Sequence, residues 1–124
     1  MTEELKVVRV NRKMWGRGGC GDSAKLLNQT GCMCILGWVY SAYGAEPDAL
    51  LDVAHPDDLD EDTKNLLPLP FFTTYVDGER FLVEATIIND DCQYTAVKFR
   101  ERRLIELFQR VGVQLVFEDG PAAP

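Results

Sequence analysis

The sequence predicts a single small α+β domain, in which an antiparallel sheet containing the N- and C-terminal strands packs on a central apolar helix and a C-terminal amphipathic helix. Three observations carry this. Residues 32–43 are apolar nearly all round, residues 97–111 place apolar side chains at helical spacing, and short apolar stretches with strand character lie near both ends. A chain of 124 residues has room for one modest core. The domain is therefore expected over residues 1–118, with 119–124 as a frayed tail.

Taken in order, Leu5 to Val10 has apolar residues at 5, 7, 8 and 10 and reads as a strand. Residues 11–22 hold four glycines and read as a loop, and Gln29 to Gly31 is a turn signal. Cys32 to Tyr43 is the central helix, stopped by Gly44. Gly37, Ser41 and Ala45 recur every four residues, so another element can approach closely there. Residues 46–70 read as short helices and loops, with Pro47 and Pro56 at first helical positions. Residues 71–91 fit two patterns. Alternation around Asp77-Gly78 favours a hairpin, while Leu82, Ala85 and Ile88 fit a helix; the hairpin is preferred. Val97 to Val111 is an amphipathic helix with Val97, Leu104, Leu107, Phe108 and Val111 as its buried stripe. Lys98, Glu101, Arg102, Glu106 and Arg110 supply its polar side, and Val113 to Phe117 is the last strand.

The formal charge of −7 is uneven. Residues 46–95 carry thirteen acids against two bases, Lys64 and Arg80, whereas both ends carry more bases than acids. This balance disfavours direct nucleic-acid binding and suits a basic partner. The longest apolar stretch, about twelve residues, is too short for the roughly 20 a membrane span needs. The first residues do not read as a signal peptide, so a cytoplasmic setting and reduced thiols are expected.

Chemical motifs are weak throughout. Gly16 to Gly21 formally matches a dinucleotide loop but stands too far from a strand, and no cofactor is expected. Cys20, Cys32, Cys34, Cys92 and His55 could supply zinc ligands, yet they lack paired knuckles, and buried inert thiols are the preferred reading. A nucleophilic alternative would use Cys32 or Cys34 at a helix start, His55, and Asn89 or Asp91. His55 also reads as a cap for the segment opened by Pro56. Asp58 to Asp62 resembles the start of a calcium loop but lacks its later ligands. Lys98, Arg100, Arg102 and Arg103 should spread over more than one helix face.

The order of short motifs is familiar: Trp15-Gly16-Arg17-Gly18, Leu26-Leu27, Gly31 to Gly37, Ile88-Asn89-Asp90-Asp91, Leu107 to Val113, and Val116-Phe117. This layout resembles small phage- and prophage-encoded proteins with a Met-Cys-x-Leu-Gly helix and an Ile-Asn-Asp motif. The chain departs from it where Met33 splits the paired cysteines. The resemblance implies a phage setting and, by analogy, a non-enzymatic protein that contacts a host protein, with host machinery or defence as the target class. Expected binding residues are Trp15, Arg17, Asp57, Asp58, Asp60, Glu61 and Asp62. A small cysteine- or zinc-dependent enzyme, a virion component and a homo-oligomer stay open as alternatives.

Overall fold

The computed structural model describes residues 6–15, 25–27, 31–53, 55–90 and 97–119. It is a small α+β fold with two two-stranded sheets, one parallel and one antiparallel. The elements run β1 (Lys6–Asn11), α1 (Ile35–Ala42), α2 (Pro47–Leu50), α3 (Glu61–Lys64), α4 (Pro70–Thr73), β2 (Tyr75–Val76), β3 (Glu79–Arg80), α5 (Phe81–Asp90), α6 (Val97–Gln109) and β4 (Val113–Glu118). No helix among the described residues is long and apolar enough to cross a membrane.

The first and last strands do pair, with Val8 opposite Leu115 and Val10 opposite Phe117, but they run parallel rather than antiparallel. Apolar alternation is the same for either sense, so the strand sequences carry no directional signal. Direction follows from the crossover. The helices lie between the two strands in sequence, and α6 turns at Gly112 (φ 81°) to feed β4 alongside β1. Val8, Val10, Val113 and Leu115 are buried, while Val7 and Arg9 are exposed.

Helix α1 is shorter than its apolar run. Met33 forms a parallel bridge with Trp15, and the Met33 and Cys34 amides donate to Met14 O and Lys25 O. These partners hold Cys32 to Cys34 out of the helix, with Cys34 as the N-cap residue. Close approach is evident at Gly37. A Cβ there would lie 1.9 Å from Leu26 O, whereas Ser41 is exposed and Ala45 lies beyond the helix.

Residues 71–91 combine both patterns. Asp77 (φ 51°) and Gly78 (φ 85°) form a tight turn closing a hairpin of two residues per strand. The expected second strand is instead helix α5, because burial follows the helical period: Phe81, Leu82, Ala85, Ile88 and Asn89 are buried, and Ile87 is exposed. Edge-to-face rings join the helices, with Phe71–Phe81 at 5.4 Å and Phe81–Phe108 at 5.0 Å. Glu106 pairs with Arg103 at 3.6 Å.

Candidate functional site

Three of the sequence motifs meet at Asn89, near the end of α5. Its Oδ1 accepts from Trp15 Nε1 at 2.8 Å and from the Ile35 amide at 3.0 Å. Two N–H donors meeting one atom require that atom to be oxygen, which fixes the amide's orientation. The second bond satisfies an otherwise orphan donor at the start of α1, where the Cys34 side chain makes no cap. Arg100 Nη1 donates to Asn89 O at 3.0 Å, tying α6 to the same point.

Beside this knot, Arg12 grips Glu101 through two bonds, Nε–Oε2 at 2.7 Å and Nη2–Oε1 at 2.9 Å. The hydrogen bond to Glu101 holds the guanidinium above its ordinary value, against the opposing effect of desolvation. Glu101 therefore does not lie on the solvated side of α6: both it and Arg100 are buried. The signal was present in the sequence, since positions 100 and 101 continue the helical stripe through 104, 107, 108 and 111.

This arrangement separates the nucleophilic set. Cys34 adjoins the Asn89 contact and is buried, and Cys32 is half-buried. His55 belongs elsewhere: its Nδ1 accepts from the Asp57 amide at 3.1 Å, capping the turn at Pro56–Asp58. Asp57 reaches Arg80, just before α5, whereas Asn89 is near the other end of that helix, roughly 13 Å away at ~1.5 Å per residue. Trp15, expected at a binding surface, is 4% exposed and packs against Phe117, the ring centroids 4.8 Å apart and the planes tilted by 43°. Arg17, Cys20, Asp91 and Cys92 lie outside the described residues. Among the described residues no group of three or more His, Cys, Asp or Glu is placed to hold a metal.

The acidic segment is divided by α3. On one side Glu46, Asp60 and Asp62, with Gly44, Ala49, Thr63 and Leu66, line an open groove of about 370 Å³, and among the described residues no base lines it. Asp60 also caps α3, accepting from the Thr63 amide at 2.7 Å, and this backbone bond lowers its carboxyl below the ordinary range. Leu66 is 38% exposed at the rim. Asp58 and Glu61 are exposed outside the groove lining. On the other side Asp57 meets Arg80 at 3.2 Å and Lys64 at 4.0 Å, over a pocket of about 220 Å³ lined also by Phe71, Phe72 and Leu82. Partial desolvation pushes Asp57 up, but the Arg80 hydrogen bond and the charges of Arg80 and Lys64 outweigh it and leave the carboxyl below its ordinary value.

No family model matches the chain, and neither curated proteins nor solved structures give a significant match.

Proposed function

We propose that the protein is a small phage or prophage accessory protein that works by contact with another protein, and that the α2–α3 groove makes the contact. One observation carries the reading: Glu46 from one part of the chain and Asp60 and Asp62 from another converge on a groove with Ala49 and Leu66, and among the described residues no base lines it. Carboxylates there would steer a basic partner, and the apolar residues would give it an anchor. The favoured occupant is a lysine- or arginine-rich segment carrying one apolar side chain. A host protein with a basic surface, such as one that handles nucleic acid, fits that chemistry.

The test is comparative capture from host lysate with the wild-type protein and a Glu46→Lys/Asp62→Lys variant. Both residues are exposed, so the fold should survive the change. Proteins retained by the wild type and lost by the variant support the reading. Identical recoveries from the two baits oppose it.

A further inference from the structure

We propose that the pocket between α3, α4 and the start of α5 binds a small organic carboxylate with an apolar body. This inference does not rest on the α2–α3 groove. Residues 46–95 contain two bases among thirteen acids, and both, Lys64 and Arg80, line this one pocket. Among the described residues they pair with one carboxylate, Asp57, which leaves one positive charge over at the pocket. The Lys64–Asp57 separation of 4.0 Å is loose, and Arg80 gives Asp57 only its Nη2 at 3.2 Å. A ligand carboxylate can therefore take a hydrogen bond from Lys64 Nζ and from the remaining Arg80 N–H groups without displacing Asp57.

The rest of the lining is apolar, formed by Phe71, Phe72 and Leu82. The volume of about 220 Å³ equals roughly seven waters at ~30 Å³ each, the scale of a short aryl or branched alkyl acid. An amine of the same shape would face Asp57 between two cations and is disfavoured. The geometry thus selects for charge sign as well as shape.

The experiment is an amide-resolved NMR titration of the full chain with 3-phenylpropionate, its uncharged amide, and 2-phenylethylamine. The acid should bind saturably, shifting residues 64, 72 and 80–82. The amide and the amine should bind roughly tenfold or more weakly, the loss expected for a charged hydrogen bond. Arg80→Gln and Lys64→Gln should each weaken the acid while leaving the thermal midpoint within a few degrees of wild type. Equal affinity for acid and amide, shifts mapping elsewhere, or no saturable shift at the highest soluble concentration would each overturn the proposal.

Discussion

The indole N–H of Trp15 and the side-chain oxygen of Asn89, 74 positions apart, share a buried hydrogen bond of 2.8 Å. The same oxygen caps α1 through the Ile35 amide. Replacing Asn89 by Leu keeps the branched shape, at a larger volume, and strands two buried donors. The expected cost is about 2–4 kcal/mol, larger than that of an ordinary surface change. Urea melts followed by circular dichroism measure it, and a loss below about 0.5 kcal/mol would contradict the assigned role.

Glycine-to-alanine changes should differ by mechanism. In most helix interiors Gly→Ala stabilises by about 1 kcal/mol. At Gly37 the added Cβ meets the Leu26 carbonyl, so Gly37→Ala should destabilise, by about 1–3 kcal/mol or more. At Gly44 there is open space, and only the positive φ of 97° opposes alanine, at roughly 1 kcal/mol. Chemical denaturation of the two variants side by side gives the order.

Arg12 and Glu101 should show strong coupling. Arg12→Met leaves a buried carboxylate without its bidentate partner, at an expected cost of about 3–5 kcal/mol. The double variant Arg12→Met/Glu101→Leu should recover much of that loss. A double-mutant cycle reads the coupling directly.

Stability should fall at both extremes of pH. Asp57 and Asp60 lie below the ordinary carboxylate value in the fold, so their contribution is present above about pH 4 and is lost as the pH falls through their folded values. Tyr40 and Tyr43 are raised by burial, so their contribution is full below about pH 10 and is lost as the pH rises past it. Urea midpoints across pH test this. Asp57→Asn should flatten the acid limb, and Tyr40→Phe the alkaline one.

Much of the architecture was legible because the relevant signals are local. The stripe at 104, 107, 108 and 111 and the Asp77-Gly78 turn depend on neighbours a few residues away. What was not legible depends on distant partners. Strand sense is set by how α6 delivers β4, and the loss of Cys32 to Cys34 from α1 is set by Trp15, Met14 and Lys25. The Phe81–Asp90 segment satisfies both alternation and helical spacing until a core exists to favour one. The acidic segment was visible as composition, but Glu46 joins Asp60 and Asp62 only after the chain folds.

The most direct test of the account is an amide-resolved NMR titration of the α2–α3 groove with a lysine-rich peptide carrying one leucine. The account predicts saturable shifts confined to residues 44–49 and 60–66, weakening steeply with salt and abolished by Glu46→Lys/Asp62→Lys. Shifts elsewhere on the protein, or binding unchanged by the charge reversal, would contradict it.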